Sequence, residues 1–314
     1  MMPQTHQAPH RPVKAFWCYF AYISSLITGV FFTDYLFYSC AEFPIMFGCI
    51  ITCISTAIIY VFSIAHNNSS IYDPYWVIAP PFLVVLLKYC SGTGLADWDS
   101  RQLILLFLFI IWATRYHIFY AWSGWRTGLV HEDWRYEEMR RAPVPYWLNA
   151  LLGMHYFPTF LVYVAFIPSA LVFSDSAQFN PLQLYDFLGI FLALMAILIQ
   201  FFADKQLKDF RATAAYKRGE TCRSGLWKYS RHPNYFGEVL FWLSTIPFTI
   251  GAQLYNGQEL FILFGPLTMA IFFRFSSYLM DLRSLKRRPN YQLVIKETSA
   301  IIPWFPQKNN KSRG

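Results

Sequence analysis

Residues 184–203 read LYDFLGIFLALMAILIQFFA, and residues 204–234 continue DKQLKDFRATAAYKRGETCRSGLWKYSRHPN. The first stretch is an apolar run long enough to cross a bilayer as a helix. The second carries eight of the chain's 26 basic residues. This alternation of apolar run and polar loop recurs along the chain. Apolar runs fall at roughly 16–38, 43–65, 74–90, 101–122, 148–173, 184–203, 235–251 and 258–280. The expected fold is therefore all-α: a polytopic membrane helical bundle of about eight spans, seven or eight. Pro80 and Pro81 interrupt the short third run. Composition agrees, since only 14% of the 314 residues are charged, against about 25% in a soluble domain.

The basic residues sort by loop. Arg11 and Lys14 precede the first run. Four lie in 123–147, eight in 204–234 and eight after 280, which makes 22 of 26. With eight spans all four segments share one side, and the positive-inside rule makes that side, with both termini, cytosolic. The net charge of +8 is then a matter of topology and anionic lipid, and no nucleic acid is expected. Lys88 and Arg101 stand at the outer ends of runs, where they can snorkel. Arg115 and Arg274 lie within runs, where a charge usually faces a polar cavity. The residues before the first run are polar and the run itself is long, so it reads as an uncleaved helix. The cysteines are Cys18, Cys40, Cys49, Cys53, Cys90 and Cys222. With no CxxC pair, they read as soft apolar side chains, with neither a metal site nor a disulfide framework.

Chemistry concentrates at the same end. The run SGLWKYSRHPNYFGE, 224–238, mixes glycines, cations, an amide, phenols and a carboxylate. Gly225 and Gly237 permit close backbone approach, and Arg223 and Arg231 suit phosphate. Asn234 and Glu238 stand one turn apart and share a helix face, as do Gln200 and Asp204, with Arg211 two turns on. His232 has no second ligand at metal spacing. Asp73, in YDPYW, and Tyr116 lie at that end too. Polar groups gathered at one end of an apolar bundle describe a site for a lipid and a cytosolic co-reactant.

These motifs resemble the steroid 5α-reductase superfamily, above all its branch of steroid-reductase-like membrane proteins. RHPNYFGE, the tail Thr298-Ser299-Ala300-Ile301-Ile302-Pro303-Trp304, YDPYW and Glu132-Asp133 with Arg135-Tyr136 carry the resemblance, over roughly 70–306. It implies NADPH bound in the cytosolic half of the bundle, beside a chamber for an enone lipid. The cofactor residues it implies are Gln200, Asp204, Arg211, Asn234 and Glu238, and Arg115, Arg223, Arg231, His232 and Tyr235 at the same end are read as cofactor-binding with them. Gln200 stands where the family has asparagine. Asp73 and Tyr116 fall where family members hold the substrate carbonyl, and Asp73 replaces a glutamate. The domain layout that follows is a tail with two extra spans in 1–70, a reductase-like domain in 71–306 and a polar tail in 307–314.

The expected activity is NADPH-dependent reduction of a conjugated C=C bond in a lipid or sterol-like substrate, in the endoplasmic reticulum membrane. Negative charge develops on the carbonyl oxygen as hydride adds, so a donor aimed there lowers the barrier. Tyr116 can donate, and Asp73 can do so when protonated. Two rivals stand beside it. One is an isoprenylcysteine-type methyltransferase using S-adenosylmethionine, whose paired glutamates after the last span are missing near Asp281. The other is a non-enzymatic lipid-binding or scaffold protein. The sequence does not name the substrate or the oligomeric state.

Overall fold

Apolar runs with no water to satisfy their backbone must close their hydrogen bonds internally, and helices do so. The computed structural model describes residues 15–36, 42–91, 95, 97–122, 132–173, 181–253, 259–288 and 290–307. Arg11, Lys14, Cys40, Arg126, Lys308, Lys311 and Arg313 lie outside them. The helices are α1 (Ala15–Tyr35), α2 (Pro44–Ala65), α3 (Tyr72–Tyr75), α4 (Ala79–Cys90), α5 (Ser100–Trp122), α6 (Trp134–Arg140) and α7 (Tyr146–Asn149). They continue with α8 (Phe157–Val172), α9 (Leu184–Arg211), α10 (Ala214–Lys217), α11 (Pro233–Leu243), α12 (Thr245–Gly251), α13 (Glu259–Arg287) and α14 (Tyr291–Glu297). A π-helical stretch, Ala150–Tyr156, joins α7 to α8. Among the described residues there is no strand. A single bridge pairs Ser230 with Ser299 in parallel.

The fold is thus the expected all-α polytopic bundle. Six helices are long and apolar enough to cross a membrane, and a seventh passage forms if the bent pair Ser69–Tyr75 and Ala79–Cys90 counts as one. The expected run 235–251 is instead broken at Ser244 into α11 and α12. Pro247 explains the break: its ring would clash with the carbonyl of Leu243 in a continuous helix. The prolines of the third run act differently from expectation. Pro80 and Pro81 lie in the first turn of α4, where proline is tolerated. The 56° bend precedes them.

The chain forms two compact units that interleave in sequence. The first holds Met1–Asp97, Tyr116–Tyr163 and Phe173–Asp175; the second holds Trp98–Arg115, Val164–Val172 and Ser176–Gly314. In the first, Tyr22 Oη donates to the Ile71 carbonyl at 2.8 Å. A buried polar seam runs from Thr56 through Thr159 (3.1 Å) to the Tyr72 hydroxyl (2.8 Å). Beside it, His155 Nδ1 donates to the Ala150 carbonyl at 2.7 Å, so its Nε2 accepts from Ser63 Oγ at 2.9 Å. Lys88 is buried there and donates to the Asp97 carbonyl. Cys90 is disulfide-bonded, whereas Cys18, Cys49, Cys53 and Cys222 are free. The expectation of six soft thiols fails at Cys90, because spacing along a chain does not show which sulfurs meet.

In the second unit α9 packs along α11 and α12. A Cβ at Gly237 would lie 2.5 Å from Gln200 Cγ and 2.9 Å from the Ala196 carbonyl oxygen, so glycine sets how closely α11 approaches α9. The approach expected toward a ligand is thus made toward a helix. Gly265 is tighter still: its Cβ would stand 2.0 Å from the Val164 carbonyl oxygen, and backbone cannot swing aside. Overpacking usually costs about 1–3 kcal/mol, and backbone contact belongs at the upper end. Gly265→Ala is therefore expected to lower unfolding stability by about 3 kcal/mol, read from denaturant unfolding of the detergent-solubilised protein.

Candidate functional site

In the second unit three helices place one cation between two carboxylates. Arg115 on α5 donates from Nη1 to Asp204 Oδ2 on α9 at 2.8 Å. Its Nη2 lies 3.8 Å from Glu238 Oε2 on α11. Asn234 Nδ2 donates to the other Asp204 oxygen at 3.3 Å. Glu238 is capped by two indoles: Trp112 Nε1 donates to Oε2 at 3.3 Å and Trp242 Nε1 to Oε1 at 3.2 Å. Arg115 and Glu238 are buried, at 7% and 6% exposure. Helical spacing explains the convergence. Trp112 and Arg115 are three apart on α5, and Asn234, Glu238 and Trp242 are successive turns of α11.

Two groups in this cluster lack partners. Gln200 is 1% exposed, and neither end of its amide finds a hydrogen bond; Arg115 Nε is likewise unsatisfied. A buried amide with nothing to bind costs free energy, which sets Gln200 apart from the paired polar groups around it. The Gln200–Asp204 and Asn234–Glu238 pairs read from the sequence do share one cluster. Trp112 and Trp242 were missed. A tryptophan one turn from a glutamate, as in Glu238…Trp242, is the signal that could have found the second.

The other expected cofactor residues are placed differently. Arg231 donates from Nη2 to Asp281 Oδ2 at 2.8 Å and from Nη1 to the Ile295 and Thr298 carbonyls. His232 Nε2 meets Asp281 Oδ1 at 3.0 Å, and Tyr291 Oη donates to the same oxygen at 2.6 Å. Burial and the Asp281 charge raise the Tyr291 phenol's pKa, so it stays a donor. Asp281 is therefore the hub that ties the 229–232 loop to the tail, and sequence reasoning passed over it. Tyr235 stacks on His232 with centroids 5.2 Å apart. Arg223 pairs with Glu297 across the same junction. Gly225, at φ +59°, makes the turn that lets the Leu226 N–H reach Gln206 Oε1 at 2.9 Å. Arg211 and Arg274 are exposed.

In the first unit Asp73 is buried beneath the 132–140 segment. Tyr136 Oη donates to its Oδ1 at 2.6 Å, and Arg135 Nη2 stands 3.8 Å away. Burial first, then the Asp73 charge, raise the Tyr136 pKa, so the phenol remains protonated. The segment is fastened by Glu132, which accepts from Ser69 N at 2.6 Å and from Arg140. Arg140 also reaches the Asn67 carbonyl at 2.8 Å and lies over the Tyr146 ring, 3.5 Å from its centroid. The Glu132-Asp133-Arg135-Tyr136 pattern thus builds the cover of Asp73. Tyr116 meets Trp76 edge-on, centroids 5.4 Å apart.

Fold and site together define a multi-pass all-α membrane protein with a buried arginine–carboxylate cluster. The chain belongs to the family described as Protein of unknown function (DUF1295), which matches residues 59–298. That span contains every site residue above. The chain is also similar to an uncharacterised protein of Schizosaccharomyces pombe, 25% identical over 284 residues, covering 83% of this chain and 80% of the relative. No solved structure matches it. Among the described residues no group of three or more His, Cys, Asp or Glu is placed to hold a metal.

Proposed function

We propose that this protein is an NADPH-dependent reductase of a conjugated C=C bond in a lipid or sterol-like enone. The observation that carries the reading is the unsatisfied Gln200 amide beside Arg115, Asp204, Asn234 and Glu238. Gln200, Asp204, Asn234 and Glu238 are positions to which the steroid-reductase resemblance assigns the cofactor. A donor–acceptor amide, an asparagine and two carboxylates suit the amide and hydroxyl groups of a dinucleotide. Bound there, NADPH supplies the hydride. Arg211 is an exposed cation close enough to interact with Asp204 and is the one assigned to its phosphates, whereas Arg223 and Arg231 hold the tail.

Tyr116 is the donor to the substrate carbonyl oxygen, where its O–H stabilises the developing negative charge. Asp73 stands with Tyr116 at that oxygen in this reading. Its Oδ1 accepts from Tyr136 at 2.6 Å, and Arg135 Nη2 stands 3.8 Å away. The basic end is the cytosolic end in this reading. Both termini lie there if α11 and α12 together make an eighth passage, and the membrane is that of the endoplasmic reticulum.

One observation favours a second reading. Two carboxylates face one guanidinium, and a net negative cluster also suits the sulfonium of S-adenosylmethionine. Titration calorimetry of the full chain in nanodiscs with each cofactor decides between them. NADPH binding, followed by enone-dependent NADPH oxidation, is the expected result. Binding of S-adenosylmethionine alone overturns the reductase.

A further inference from the structure

The tail after α14 combines a pinned backbone with bare apolar side chains. Arg231 N donates to the Ser299 carbonyl at 2.9 Å, His232 N to Ala300 at 3.1 Å and Trp304 N to Tyr229 at 2.9 Å. Ser230 Oγ adds a bond to the Ile301 carbonyl at 2.7 Å, and Ser299 Oγ one to Tyr229 at 2.9 Å. Yet Ile302, Trp304 and Phe305 are 67%, 68% and 77% exposed. They lie outside the spans, so the acyl chains that cover the other exposed apolar residues do not account for them. Scattered surface hydrophobes need no explanation, but three large ones on one hydrogen-bonded ledge do.

We propose that this ledge seats in the headgroup region of an anionic membrane leaflet. Trp304 and Phe305 are the aromatic types that settle at a membrane interface. The charge around them is complementary to anionic lipid. Lys228 Nζ lies 5.7 Å from the Tyr229 ring centroid, and Tyr229 packs edge-on with Phe305 at 6.1 Å. In sequence Lys308, Lys311 and Arg313 follow, and no Asp or Glu occurs after Glu297. A polybasic stretch beside an apolar wedge binds anionic lipid by both forces. Backbone hydrogen bonds from Arg231 and His232 tie the ledge to the loop that begins α11, so the membrane surface steadies the helix that carries Asn234 and Glu238.

The test uses the full-length protein in nanodiscs of phosphatidylcholine alone or mixed with phosphatidylserine. The fluorescence difference between wild type and Trp304→Phe isolates one indole. The expected result is quenching by a headgroup-level spin-labelled lipid at least about twofold stronger than by an aqueous quencher, and stronger with phosphatidylserine. The Lys308→Gln, Lys311→Gln, Arg313→Gln variant alters no described contact, and it is expected to lose the phosphatidylserine dependence. An indole quenched from water and untouched by the lipid label overturns the proposal. So does protection that appears only when two copies share a nanodisc, which would make the ledge a contact between chains.

Discussion

Glu238→Gln is expected to weaken NADPH binding by about 10- to 100-fold, the range for a hydrogen bond to a charged group. The change keeps shape and volume while removing charge. In the native chain both Glu238 oxygens accept an indole N–H, at 3.3 and 3.2 Å, and Oε2 faces Arg115. A glutamine can accept on only one side, and its NH₂ then confronts the second indole donor. Asp204 still holds Arg115 at 2.8 Å, so no buried cation is orphaned. Calorimetry with NADPH reads the affinity, and a thermal melt without cofactor reads the fold. If Glu238 only caps tryptophans, the melt falls and affinity in the folded protein does not. That outcome removes Glu238 from the cofactor site.

Much of this cluster was legible in the sequence, because its members are one helical turn apart. The pairs 200 and 204, and 234 and 238, need only the period of a helix to share a face. Spans were legible for a similar reason: each apolar run declares itself locally. What sequence could not show was which distant partner claims a polar side chain. Arg231 looks like a phosphate ligand until Asp281, fifty residues on, takes it. Lys88 and Arg101 look like snorkelling ends until their burial is seen. The break at Ser244 was readable from Pro247, but it was hidden inside a run whose hydropathy alone looks continuous. The π-helical stretch before α8 has no comparable signal.

Arg101→Met is expected to destabilise the fold by about 3–5 kcal/mol, the cost of orphaning one member of a buried ion pair. Arg101 is 1% and Asp186 0% exposed. Arg101 Nε donates to Asp186 Oδ1 at 2.7 Å and Nη2 to Oδ2 at 2.9 Å, while Nη2 also reaches the Gly251 carbonyl at 3.1 Å. Asp186 Oδ2 in turn accepts from Gln183 N at 2.7 Å and so caps α9. Removing the guanidinium therefore leaves a carboxylate with no counter-charge and a carbonyl with one fewer donor. The double variant Arg101→Met, Asp186→Leu is expected to recover part of the loss, because it leaves no unpaired buried charge of the pair, although Gln183 N loses its acceptor and the Gly251 carbonyl its donor. Denaturant unfolding in detergent measures both. The consequence reaches the site through geometry. Arg101 and Arg115 lie about 21 Å apart along α5 at the helical rise, and each pairs with an aspartate of α9. The two helices are thus riveted at both ends by the same chemistry, a desolvated arginine on one and an aspartate on the other. Of the two pairs, the one at Arg115 has an unsatisfied guanidinium nitrogen, Nε, whereas no side-chain atom of Arg101 or Asp186 is left unsatisfied. A variant at Arg101 should accordingly lower stability and leave cofactor affinity in the folded fraction unchanged, whereas Arg115→Met should lower both.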